Sequence, residues 1–185
     1  ALGFGGYAPP TTGVTETWNG TNWTEVNDLN TARYYLAGAG TNTAALAFGG
    51  EPVTAITELW NGTNWTEVNN LNTARYNLSA AGATNTAVLA FGGANPGVQT
   101  VTELWNGTNW TEVNNLNTAR QGLSGAGITT AALAFGGNVA PKTQTETWNG
   151  TNWTELADLN TEKSSLAGAG TNTAGLAFGG SPGVQ

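Results

Sequence analysis

The sequence predicts an all-β fold in which one small antiparallel sheet is built about four times over. Three observations predict it. A segment of about 43 residues recurs, its first tryptophan falling at Trp18, Trp60, Trp105 and Trp148, in steps of 42, 45 and 43. A double glycine recurs in step with it, at Gly5-Gly6, Gly49-Gly50, Gly92-Gly93, Gly136-Gly137 and Gly179-Gly180. Each copy also breaks into short apolar or alternating runs divided by turn residues, without helical periodicity. A fixed period of this length marks a repeat architecture, in which each unit buries its apolar face against its neighbours. The repeats fall at approximately 1–44, 45–87, 88–131 and 132–174, with a terminal strand at 175–185, as one segment.

Residues 32–68 show the elements in order. Tyr34-Tyr35-Leu36 leads into Ala37-Gly38-Ala39-Gly40, a first strand (a) of small residues, and Thr41-Asn42-Thr43 is a turn. Ala44 to Phe48 is an apolar second strand (b), stopped by Gly49-Gly50. After a variable loop, Ile56 to Trp60 alternates as a half-buried third strand (c) should. Asn61-Gly62 is a strong hairpin signal, because both residues tolerate positive φ. Asn64 to Val68 returns as the fourth strand (d). Whether the turn holds two residues or four, Trp60 and Trp65 share one face of the hairpin and form an apolar anchor between units. Four short antiparallel strands per repeat are the blade of a β-propeller, whose first strand lies nearest the crowded axis, where Gly and Ala fit. The chain is thus expected to hold strands b, c and d of one blade, three full blades, and strands a and b of another.

The order R-x-x-L, strand, Gly-Gly, strand ending in an aromatic, turn, T-N-x-W resembles the kelch repeat. The resemblance implies kelch-like blades. In them Gly49-Gly50 and its copies close strand b, and Trp18, Trp60, Trp105 and Trp148 end strand c. Trp23, Trp65, Trp110 and Trp153 open strand d, and Arg33, Arg75 and Arg120 precede strand a. Two features depart from it. The period is shorter than the kelch value of about 50, and Glu162-Lys163 replaces the Ala-Arg of the other copies. The near-identity of the copies is similar to repeats of bacterial and phage surface proteins, which implies an extracellular or virion-surface location.

Composition narrows the function. The chain has no Cys and no His, so disulfides, thiolate metal sites and the commonest general base are missing. No cofactor and no metal is expected. The net charge of -7, from 12 acids and five bases, disfavours nucleic acid and anionic membranes, whose phosphates call for Lys and Arg. No apolar run approaches the roughly 18 residues that span a bilayer. The chain begins inside a repeat, as a piece of something longer would.

The repeated features read as structural. The eight tryptophans supply a core that a Gly-rich chain otherwise lacks, and the Asn-x-Thr triplets are turn chemistry. Glu16, Glu58, Glu103 and Glu146 on strand c, with Glu25, Glu67, Glu112 and Glu155 on strand d, are expected to be solvated edge charges. One active site has no need of four equivalent carboxylate pairs, so no enzyme is expected. Arg33, Arg75 and Arg120 are expected to tie blades together through carboxylates or carbonyls.

Variation between copies falls in two patches, the b–c loops and the start of strand a. Strands alternate in direction, so the d–a and b–c connections emerge on one face of the molecule and the a–b and c–d turns on the other. Binding surfaces are usually loops on a rigid scaffold. The candidate ligand- or partner-binding residues are therefore Tyr7, Tyr34, Tyr35, Glu51, Tyr76, Asn77, Gln121 and Lys142. The expectation is a non-enzymatic binding or structural module whose partner is a protein or a glycan. The alternative is a lectin with repeated Trp-lined sites. A homodimer closing an eight-bladed ring, or a place within a longer single-chain propeller, is expected from the unpaired strands at both ends.

Overall fold

The computed structural model describes residues 1–181, and it is all-β. The first sheet runs β1 (Leu2–Tyr7), β2 (Thr11–Trp18), β3 (Trp23–Val26). The second is β4 (Ala37–Gly40), β5 (Ala45–Phe48), β6 (Thr57–Trp60), β7 (Trp65–Val68). The third joins β8 (Ser79–Thr84) and β9 (Ala87–Phe91) to β12 (Thr102–Trp105) and β13 (Trp110–Val113). Its b–c loop, expected only as a variable loop, folds a small hairpin of its own, β10 (Ala94–Asn95) and β11 (Gly97–Val98), about the turn residues Asn95-Pro96-Gly97. The fourth sheet is β14 (Ser124–Ile128), β15 (Ala131–Phe135), β16 (Thr145–Trp148), β17 (Trp153–Glu155), and the last pairs β18 (Ser164–Gly170) with β19 (Gly175–Ser181). All pairings are antiparallel, in the order a-b-c-d read from the sequence. Of the expected terminal strand, 182–185 lies outside the described residues.

Registers settle the c–d hairpin. Trp60 pairs with Trp65, Trp105 with Trp110 and Trp148 with Trp153, so the turn holds four residues. Only its glycine takes positive φ, as at Gly62 (95°). The asparagine acts differently from the expectation of positive φ at both residues. Asn61 Oδ1 accepts the Thr63 and Asn64 amides, each at 2.9 Å, and so pins the turn.

The inner strands meet in sequence: β4 lies against β8, β8 against β14, and β14 against β18. They line a shared cavity of about 320 Å³, with Leu36, Leu78, Leu123 and Leu166 and the small residues after each. The small residues have a specific neighbour, the strand-b phenylalanine of the preceding sheet. A Cβ at Gly38 would stand 2.4 Å from the Phe4 ring, and one at Gly125 2.5 Å from Phe91. The same ring meets a tryptophan of the following sheet edge-on: Phe4 with Trp65, Phe48 with Trp110 and Phe91 with Trp153, at 4.9–5.1 Å between centroids. The indole of Trp65 donates to Thr15 Oγ1 at 3.0 Å, across the same seam. Trp60, Trp105 and Trp148 donate instead to the a–b turn of their own sheet, as Trp60 does to the Asn42 carbonyl at 3.0 Å. Each buried indole N–H thus has its acceptor.

Candidate functional site

The d–a connection carries Leu-Asn-Thr-Ala-Arg in three copies and Leu-Asn-Thr-Glu-Lys in the last. Leu71 enters the core at 4% exposure. The Asn72 amide and Nδ2 donate to Glu103 Oε2 at 2.7 and 2.9 Å. Arg75 Nη2 meets Glu103 Oε1 at 3.0 Å, and its Nη1 donates to the Gly92 and Val101 carbonyls at 3.0 and 2.6 Å. Arg120–Glu146 (2.8 Å) and Arg33–Glu58 (3.3 Å) repeat the pair. All three arginines therefore use carboxylates and carbonyls, as expected, but they tie the connector to the sheet that follows it rather than one blade to another. Burial pushes each guanidinium below its ordinary value, and the paired glutamate opposes the shift.

The glutamates correct an expectation. Glu58, Glu103 and Glu146 are not solvated edge charges; they are buried. The connector arriving from the preceding sheet covers each of them, and the carboxylate persists there because the Arg and Asn of that connector satisfy it. Glu25, Glu67, Glu112 and Glu155, on the edge strand d, are exposed, and so is Glu16. Lys163, the departure from the motif, donates from Nζ to the Gly179 carbonyl at 3.1 Å, where Arg75 uses the Gly92 carbonyl.

The variable residues form a rim beside the cavity of the inner strands. The start of each strand a pairs with the start of a b–c loop. Tyr34 and Glu51 exchange backbone hydrogen bonds of 3.2 and 2.7 Å, Tyr76 and Ala94 do so at 3.1 and 2.9 Å, and the Asn138 amide donates to the Gln121 carbonyl at 2.9 Å. The next residue is left-handed in every repeat: Tyr35 (φ 53°), Asn77 (56°), Gly122 (62°) and Ser165 (53°). These four are lashed together from sheet to sheet. The Asn77 amide donates to the Tyr35 carbonyl (2.8 Å), Gly122 to Asn77 (2.9 Å) and Ser165 to Gly122 (2.9 Å). Gly122 was the one sign of this ladder in the sequence, since the other three residues disguise the backbone requirement.

All four tyrosines of the chain are among the candidates on this rim. Ring centroids of Tyr7 and Tyr34 are 5.1 Å apart, and those of Tyr34 and Tyr35 are 4.9 Å apart. Tyr7 is 66% and Tyr35 58% exposed, and Tyr34 is half-buried between them. Burial pushes the Tyr34 phenol up, and the Glu51 carboxylate and the phenols of Tyr7, Tyr35 and Tyr76 push it the same way. Glu51 Oε2 is buried, and no donor reaches it among the described residues. The structure thus brings Tyr7, Tyr34, Tyr35, Tyr76 and Glu51 together. Asn77 joins them through the ladder, and Gln121 occupies the equivalent rim position of the fourth sheet. Lys142 stands apart on the b–c loop of that sheet, where its carbonyl accepts the Lys163 amide.

On the outer rim, clefts of about 260–270 Å³ repeat where one sheet's hairpin meets the previous sheet, bordered by Trp105 in one case and Trp148 in the next. Those indoles are 1–2% exposed and present no open ring face. Among the described residues no three His, Cys, Asp or Glu gather as metal ligands. The chain matches no family model, and no curated protein matches it.

Proposed function

We propose that the protein is a non-enzymatic binding module, a kelch-like propeller that presents its d–a and b–c loops on one face to a protein or glycan partner. One observation carries the reading. Every tyrosine of the chain lies on that face, at positions where the copies differ, while the frame beneath them repeats nearly unchanged. Tyrosine offers broad contact with a polar tip at low entropic cost, and such residues anchor interfaces. The backbone ladder holds the rim rigid, which lowers the ordering cost of binding. Burial of the tryptophans favours this face over a lectin with repeated Trp-lined sites, and the near-identity of the copies, similar to repeats of bacterial and phage surface proteins, favours an extracellular or virion-surface setting. The reading includes assembly: two copies closing an eight-bladed ring, or more blades of the same chain, would cover the open faces of the first and last sheets.

The test replaces Tyr34 by Ser, Tyr35 by Gly and Tyr76 by Ser together, residues the scaffold already accepts at equivalent positions. Peptide and glycan arrays are probed with both proteins. Spots bound by the native chain should be lost with fold retained; spots kept by the triple variant would reject this face.

A further inference from the structure

We propose that Tyr7, Tyr34, Tyr35 and Glu51 form a site for an organic cation, best filled by the guanidinium of an arginine side chain on a partner protein. The inference rests on the loop face being the binding face, and adds what it binds.

The rings come first. Three phenols stand in a tilted row with centroids 5.1 and 4.9 Å apart, and the outer two are more than half exposed. Aromatic faces carry negative charge density and attract cations placed over them within about 6 Å. The carboxylate comes second. Glu51 is the cross-strand partner of Tyr34, so their side chains leave neighbouring backbone positions. Its Oε2 is buried without a donor among the described residues. A buried acceptor in that condition is costly, and a charged donor is the strongest remedy.

The chain's own cations do not supply that donor. Arg33, Arg75 and Arg120 are held by Glu58, Glu103 and Glu146, and Lys163 by the Gly179 carbonyl. Lys142 belongs to the fourth sheet's loop. Tyr35 adds a third argument. It occupies a left-handed backbone position that its copies give to Asn, Gly and Ser, and a bulky side chain is disfavoured there. Strain kept at an exposed aromatic points to a role for the ring itself. A guanidinium fits all three features, because it is flat enough to stack on a ring and donates in its plane to a carboxylate. The net charge of -7 draws cations toward the surface. An anion would meet Glu51 instead.

The chain has only four tyrosines, so ring resonances in selectively labelled protein report on the three rings of this site and on the neighbouring Tyr76. The probes are N-acetyl-arginine amide, methyl glucoside and acetate. The arginine derivative should shift the Tyr7, Tyr34 and Tyr35 signals saturably, and the other two should not. Glu51→Gln should weaken its binding by roughly tenfold, the scale of one charge-assisted hydrogen bond. Tyr35→Asn, the residue of the next repeat, should weaken it too. Near-ultraviolet dichroism of the tryptophans checks that each variant is folded. If the glucoside shifts the rings and the arginine derivative does not, the cation inference is wrong while the binding face stands. Unchanged binding by Glu51→Gln also overturns it. If no probe shifts any ring and the arrays are blank, both readings fall.

Discussion

At the scale of single residues, the same charged side chain has opposite meanings on adjacent strands. Glu103 is buried and held by Arg75 and Asn72, whereas Glu112, its register partner on the edge strand, is exposed. Removing one member of a buried pair strands the other's charge. Glu103→Ala should therefore cost about 3–5 kcal/mol, read as a fall in the denaturant midpoint, while Glu112→Ala should stay within about 0.5 kcal/mol. Equal effects would show that the buried network adds nothing. Tyr34 gives a second prediction. Its phenol ionises above the ordinary tyrosine value of 10.0 in the folded chain, chiefly through burial and then through Glu51. The folded state thus prefers the neutral phenol. That preference is fully felt below the ordinary value and is lost as pH rises through the raised one, so stability declines on the alkaline side. Titrating phenolate absorbance should show the Tyr34 phenol ionising above the ordinary value, and Glu51→Gln should bring it part of the way back. No movement would separate Glu51 from the cluster.

At the scale of elements, four strands per repeat were legible because apolar period, turn residues and double glycines agreed in every copy. The strand order followed from them, as did the carboxylate and carbonyl partners of Arg33, Arg75 and Arg120, though not that these lie in the arginine's own sheet. What could not be read was set by neighbours distant in sequence. Nothing local distinguishes Glu58 from Glu67; what does is the connector from the preceding sheet, whose Asn30 and Arg33 meet Glu58, and Glu16, on strand c of the first sheet, is exposed. The hairpin showed Asn-Gly, but the length of the turn rested on the Trp–Trp register. At the candidate site the residues were legible as variation between copies, while the ladder through Tyr35, Asn77, Gly122 and Ser165 was hidden, since only one is glycine. The seams between sheets make their own prediction. Trp65 and Trp110 occupy equivalent places, each 5% exposed, edge-on to Phe4 or Phe48 and bonded to Thr15 or Thr57. Replacing either by Ala should cost about 3–5 kcal/mol, with the two midpoints shifting alike. Loss of ligand binding at unchanged stability would mean instead that these rings face a ligand.

At the scale of the whole molecule, the seams show what an uncovered seam lacks. Trp23 is 50% exposed where its three copies are 5%, and Phe178 and Leu176 are 47% and 61% exposed where Phe48 and Leu46 are fully buried. The first group is on the first sheet and the second on the last, and each displays the half of a contact that the other could complete: tryptophan on one, phenylalanine on the other. Apolar area of this kind is worth about 25 cal/mol for each Å² withdrawn from water, and the three seams with a Phe–Trp contact withdraw it. Two copies meeting through these faces would repeat an interface already made three times within one chain. Sedimentation of residues 1–185 should then give a particle near twice 18.9 kDa. Trp23→Ser should lower the mass toward one chain without lowering the melting temperature of the interior sheets, because Trp23 packs against no preceding phenylalanine. A native particle that stays at one chain's mass at micromolar concentration would reject pairing through these faces, and would leave the exposed tryptophan to be covered by something other than a second copy.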